Sequence, residues 1–427
     1  MKRALFLLAA CGGGGHHTTD APPYDAPADT LPTSADAAQG GITLRVLSGG
    51  DPVPNVATIF LDAQDKQVAA VTTDQTGTAA ATLTAGGTVT AIVHEGTGLD
   101  HLTTFTGVQP GDVLLLELQP AGPAAAMVVN LTFPTNGSQA YTLFPSCGDQ
   151  IGSTDGTFQF RPLGCGGTAD FVVGAGAGGT ISSFLVAMGV NVGSDAVVAG
   201  TFAPPITPAY NYTAIPSTLS ALSNRAAILG HNGEMYAQSS SVTLATNQTT
   251  ATLHETIPTT MTPALVTTNL WPQPNELGQQ LVVDAVADAS ADYNLDVTQA
   301  MLPRYITAPA YDVVTRSIGW GEAPATAQSN VVRAQIHVNR DDVPAGRSWT
   351  WTIAAPKNAA SVTFPALPAV DGFSFIPIAT DTVVVSDLTT ALFPGGFDAL
   401  RTSPFRDLVS ALTSGHAVIE TLAPPQL

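Results

Sequence analysis

The side chains able to do chemistry in this chain are mostly histidines and carboxylates, so their spacing comes first. His94-Glu95-Gly-Thr-Gly-Leu-Asp-His101 is a near miss for His-Glu-x-x-His. A zinc site of that kind needs two imidazoles one helical turn apart, with the glutamate as base. Here Gly96 and Gly98 work against a helix, and the two histidines are expected on either side of a strand connection. His16-His17 beside Asp20 could hold a metal ion only nonspecifically, on a flexible segment. Asp284, Asp288 and Asp292 recur every fourth residue and would make an acidic stripe on a helix. Aspartate is a poor mid-helix residue, and three carboxylates fall short of the six or so oxygens calcium takes. A solvated ridge or loop is expected there and at Asp341-Asp342. Gly152-Ser153-Thr-Asp-Gly156 lacks the Gly-x-Ser-x-Gly elbow of a serine nucleophile and reads as a turn. The glycines of Gly174–Gly179 lack the Lys-Ser/Thr of a phosphate loop and also read as a turn. His231-Asn-Gly-Glu234 fits a type I′ hairpin. Hydrolase chemistry would require His231, His254, His337 or His416 to meet a serine or acid from a distant segment. The sequence assigns no catalytic residue, cofactor or metal ligand.

The elements that would position these groups are strands. Ile42–Val46, Val56–Leu61, Val68–Thr73, Thr78–Leu83, Val89–His94, Leu102–Val108 and Val113–Leu118 are seven short apolar or alternating runs, separated by turn formers such as Ser48-Gly-Gly-Asp-Pro and Asp74-Gln-Thr-Gly. Val89, Ala91 and Val93 share a face by the period of two. Seven strands in residues 41–120 read as a β-sandwich. A second β-rich stretch, residues 121–250, begins with a strand in Met127–Phe133 and continues through Gly156–Phe160, Phe171–Val173, Ile181–Val190, Asp195–Phe202 and Ser239–Ala245. Between them, Ala203-Pro-Pro-Ile-Thr-Pro reads as an edge or connection, because consecutive prolines cannot donate to a ladder. A third stretch, residues 251–427, holds Trp271, Trp320, Trp349 and Trp351. Trp349, Trp351 and Ile353 share one face of a strand, read as core. Ser361–Phe364 reads as a strand with a kinked exit. A short helix is expected over Pro404–Leu412, capped by Ser403, with Phe405, Leu408 and Leu412 as its apolar stripe.

Composition bounds the partners. The chain has 427 residues, 14 Lys and Arg against 33 Asp and Glu, and a net charge of −19. Its lysines are Lys2, Lys66 and Lys357. Phosphate binding depends on basic side chains, so nucleic acid is excluded as an expected partner. The 44% hydrophobic fraction can fill real cores, while 32 prolines and long Thr/Val alternations favour sandwiches and loops over helices. The run from Ala4 to Ala10 is far too short for a bilayer span, which needs about 20 residues. Val172–Val192 is apolar but interrupted by glycines and serines, which suits strands and turns.

Two resemblances carry the functional expectation. Met1-Lys-Arg-Ala-Leu-Phe-Leu-Leu-Ala-Ala-Cys11 resembles the signal peptide and lipobox of bacterial lipoproteins. The resemblance implies that Cys11 receives the lipid and begins the mature chain, and that residues 12–40, rich in Pro, Ala, Thr and Asp, act as a tether. Gly12 rather than Asp after the cysteine implies outer-membrane sorting. Removal of Lys2 and Arg3 would leave 12 basic against 33 acidic residues, or −21. With Cys11 so assigned, Cys147 and Cys165 remain as a pair in an oxidising compartment. A disulfide is the expected state and two buried free thiols the alternative. In residues 41–120, Pro52-Val-Pro-Asn-Val56, then Thr73-Asp74-x-x-Gly77-x-Ala79, then Gly87-Thr-Val-Thr-Ala91 resemble carboxypeptidase regulatory-like and bacterial Ig-like domains, which are non-catalytic spacers or adhesive modules. The C-terminal two thirds is similar to surface lipoproteins of the myxobacterial type. The resulting expectation is an all-β chain of tandem antiparallel β-sandwiches on a lipid-anchored flexible tether. Its role would be structural or adhesive, outside the cytoplasm at the outer membrane or cell surface, with no cofactor. The alternative is a glycan- or protein-binding envelope module using Trp271, Trp320, Tyr305 or Tyr311; a secreted hydrolase ranks third.

Overall fold

The structure is a computed structural model that describes residues 40–48, 51–94, 99–118, 127–154, 156–163, 165, 167–230, 233–259, 264–272, 278–287, 291–302, 305–323, 329–341, 346–405 and 415–422. Cys11, His16, His17, Asp20, Glu95, His231, Asp288 and Asp342 lie outside them, as do the leader and nearly all of the tether.

The fold is all-β and sandwich-type. Each of the seven runs read from residues 41–120 is a strand: Gly41–Ser48, Ala57–Leu61, Gln67–Thr72, Thr78–Thr82, Gly87–His94, Leu99–Val108 and Val113–Leu118. Twelve strands form the central sheet. It runs from Gly233–Thr243 at one edge through Leu219–Gly230, Ala264–Pro272, Gln279–Val286, His416–Leu422, Thr382–Leu392, Val331–Arg340, Arg347–Pro356, Leu99–Val108, Gly87–His94 and Ala57–Leu61 to Gln67–Thr72. All three sequence stretches contribute to it. Its neighbours are antiparallel except at one seam, where Arg347–Pro356 runs parallel to Leu99–Val108. Parallel pairs also join Gly41–Ser48 to Val113–Leu118 and Ala209–Thr213 to Tyr293–Asp296. Such pairs need long crossovers, so alternation along one strand cannot reveal them.

Both faces of this sheet carry packed apolar side chains along its middle, whereas the edge strand Gln67–Thr72 is exposed along most of its length. On one face Phe60, Val89, Ala91 and Phe105 pack against Ile42, Leu44, Leu114 and Leu116 of the small sheet built from the first and last strands of residues 41–120. On the other, Ile59, Leu61, Trp349, Trp351 and Ile353 meet Ile306, Ile318, Phe364 and Phe375. Each fully buried Phe contributes about 1.5–3 kcal/mol relative to exposure. Farther along, Leu222, Val266, Leu270, Val282 and Val418 pack on Tyr210, Tyr212 and Leu295. A further sandwich in residues 129–198 holds its own core around Phe158, Phe160 and Phe171, with the Cys147–Cys165 disulfide in it.

Of the segment expected as a C-terminal helix, only the start is described, and it is a strand. Pro404–Phe405 is a short edge strand, parallel to Leu115–Leu116, and residues 406–412 lie outside the described residues. A helix not read from the sequence precedes it at Gly396–Arg401, where Phe397 and Leu400 turn into the core and Gly395, at φ 72°, starts the turn. Proline on a sheet edge loses no ladder bond, so Pro404 suits either role equally well.

Candidate functional site

The best-defined polar grouping lies where the strand His416–Leu422 enters the central sheet. His416 sits opposite Asp284 in the antiparallel register with Gln279–Val286. Its Nδ1 is 2.7 Å from Asp284 Oδ1, and the Tyr293 hydroxyl donates to the other carboxylate oxygen. The Ala300 backbone is a lesser influence that also favours the protonated ring. Tyr293 reaches the site from the strand Tyr293–Asp296, and Ala300 from the single helical turn Val297–Ala300, which Asp296 caps by accepting from the Gln299 N–H. The Asp284 hydrogen bond is the main cause that raises the His416 pKa, with burial opposing it. Burial, then the Asp284 contact, push the Tyr293 phenol far up, so it stays protonated. A cavity of about 350 Å³ adjoins, lined by Tyr210, Val266, Val286, Asp292 and Tyr293. Chemically the arrangement sets an imidazole against a carboxylate that also accepts from a phenol held as a fixed donor.

This places one of the four histidines named for hydrolase chemistry, His416, beside an acid. His254 is exposed and His337 half-buried on its strand. Of the acidic triplet, Asp284 lies in the strand Gln279–Val286 and Asp292 just before the strand Tyr293–Asp296, where its carboxylate accepts from the Ala209 N–H at 2.8 Å. His94 and His101 do flank a strand connection. His94 Nδ1 lies 2.6 Å from Asp100 Oδ1, whose other oxygen accepts from Arg347 Nε at 2.8 Å, and His101 bonds Thr350. Gly230 pairs with Gly233, so the two strands are joined through His231 and Asn232, which lie outside the described residues, and Gly233 belongs to the ladder rather than to the centre of an Asn-Gly turn. Among the aromatics named for a glycan surface, Trp320 is buried with its Nε1–H on Glu322, and Trp271 is half-buried. Tyr311 packs edge-on against Phe364, and burial pushes its phenol up to about 12. The side chain of Tyr305 lies outside the described residues. Trp349 and Trp351 are core, as read from their shared face.

Cys147 and Cys165 are joined, with Cα atoms 5.4 Å apart across 18 residues of sequence. A loop of this size contributes about 3 kcal/mol in the chain-entropy account. Sequence reasoning missed Glu255. It is fully buried, accepts from Ser240 Oγ at 2.6 Å and Asn224 Nδ2 at 3.3 Å, and burial raises its pKa. The signal was available: Ala251, Leu253 and Glu255 alternate, which turns Glu255 inward with Leu253.

The scarce cations are spent inside the molecule. Seven of the ten described arginines and lysines pair with carboxylates: Arg225, Arg316, Arg333, Arg340, Arg347, Lys357 and Arg401. Several of these pairs bind distant segments, such as Arg401 to Asp112 at 2.7 Å and Arg347 to Asp100.

No family model matches the chain, and no curated protein matches it. Among solved structures, the Bacillus anthracis TIE protein shows a likeness at 11% identity, covering 60% of this chain and 50% of that one, with a TM-score of 0.16. The chain thus spans half the length of that neighbour, and a likeness this slight carries no argument.

Proposed function

We propose that the protein is a non-catalytic, lipid-anchored component of the cell envelope that presents a layered β body in a structural or adhesive role. The observation that carries this reading is the use made of its charges. Arg401–Asp112, Arg347–Asp100, Lys357–Glu322 and His416–Asp284 tie strands and loops to one another. Groups so engaged act as fasteners between segments far apart in sequence. The anchor rests on Leu8-Ala9-Ala10-Cys11 in the sequence. Two or more acyl chains on Cys11 would hold the protein firmly without a membrane-crossing helix. Expression of the full chain in a bacterial host fed labelled palmitate tests it. Label is expected on the wild type, in the membrane fraction, and absent from Cys11→Ser, which should become soluble. Equal labelling of both, or none of either, would refute the anchor.

A further inference from the structure

We propose that Gln67–Thr72, the outermost strand of the central sheet, is a pairing edge for the same strand of a second copy of this chain. Among the described residues it is bonded on one side only, to Ala57–Leu61. Five of its six residues are exposed, Val68 by 48% and Val71 by 39%. Thr73, just beyond it, turns its N–H and C=O inward, to Val56 and Asn55. Alternation therefore turns those of Thr72 and Ala70 outward, where no described residue meets them.

This edge is thinly guarded. Gln-Val-Ala-Ala-Val-Thr carries no charge and no proline, the common means of keeping an edge from pairing. A bulge beside Val68 leaves Ala69–Thr72 regular. Charge selects the occupant. Lys66 stands exposed at one end of the strand and Asp74 exposed at the other. Antiparallel pairing about Ala70 brings Lys66 of each copy to Asp74 of the other, so opposite charges meet at both ends. The bulge draws Lys66 back by about 3 Å, one residue's rise, which its long side chain spans. Lys66 makes no ion pair among the described residues, so it is free to do this. The nearby carboxylates do not oppose it. Asp65 is turned onto Arg316 and the Ala366 N–H, and Asp62 accepts from the Gln64 and Lys66 N–H groups of its own turn. An unrelated strand would have to match both ends, whereas a two-fold copy does so by construction. So short an edge buries less than the roughly 1,200 Å² of a stable complex, which makes the pair reversible.

Sedimentation velocity tests the pairing on the full chain carrying Cys11→Ser, so that no acyl chain drives association. Between about 10 µM and about 500 µM this parent should show a reversible dimer, half formed near about 100 µM. Ala70→Pro removes an outward donor and no bond of the ladder, and should stay monomeric throughout. Lys66→Glu should weaken the dimer about tenfold, and adding Asp74→Lys should bring it back to within about threefold of the parent. A parent that is monomeric throughout leaves the edge to some other strand and overturns the proposal. So does a dimer that Ala70→Pro leaves intact, or a loss in Lys66→Glu that the added Asp74→Lys does not reverse. Should Ala70→Pro not fold, the two charge variants decide by the same criterion.

Discussion

Arg340 shows how single side chains are used in this molecule. Its guanidinium forks onto Asp381 at 2.8 and 2.6 Å, donates to the Ser374 and Ile376 carbonyls, and lies over the Trp349 and Phe373 rings at 5.1 and 5.2 Å. Both partners are buried, at 8% and 0% side-chain exposure. Arg340→Met keeps the stem but strands a buried carboxylate, so a loss of about 3–5 kcal/mol is expected in denaturant unfolding. Arg340→Met with Asp381→Leu should recover part of it; a single-variant loss under about 1 kcal/mol would contradict the account. At this scale the sequence was half legible. His416 and Asp284 each drew notice for their residue type, yet nothing in their local spacing joins positions 132 residues apart. Glu255 escaped because a lone glutamate after an alternating run looks like a solvated strand end.

Elements were legible wherever local pattern decides. The seven strands of residues 41–120 follow from alternation and turn residues, whereas their partners depend on long-range pairing that alternation leaves open. The helix at Gly396–Arg401 went unread although Phe397 and Leu400 are spaced for one buried face, while of the segment expected as a helix only Pro404–Phe405 is described, as a short strand. The Gly174–Gly179 run closes the hairpin between Thr168–Ala177 and Thr180–Asn191, with Gly178 and Gly179 at positive φ. A Cβ on Gly176 would stand 1.8 Å from the Thr180 carbonyl oxygen, whereas one on Gly178 meets nothing. Gly176→Ala should therefore cost about 1–3 kcal/mol by forcing the backbone apart. Gly178→Asn, at a φ of 59° that Asn tolerates, should stay within about 0.5 kcal/mol. Urea midpoints of the two variants check this, and equal midpoints would contradict it.

For the molecule as a whole, protons and charge act in the same direction above neutrality. Folding raises the pKa of Glu255 through burial and that of His416 through Asp284, from ordinary values of 4.5 and 6.5. Each contribution is full below its unfolded value and lost as pH rises through the folded one. Hydrogen bonds from Thr76 to Asp74 and from Asn130 to Asp195 lower those carboxyls from 3.8, so their contribution is lost in acid instead. A net charge of −19 adds self-repulsion that salt screens. The melting temperature should peak between about pH 4 and about pH 6 and fall on both sides. Added salt should raise it more at alkaline pH than near the peak. A profile flat across that range and beyond would contradict the assignment.

The seam of the central sheet also sets a timetable. Synthesis delivers Asp100 long before Arg347, 247 residues later, and the strand that fills the gap beside Gln279–Val286 comes later still. A ribosome must therefore pass residue 422 before the layer can be completed, and such distant pairings close slowly. For a chain exported as proposed, the delay keeps it threadable through a translocation channel. A ribosome that stalls a few residues before His416 would release an unclosed sheet with two raw edges, in place of a protein lacking only a tail.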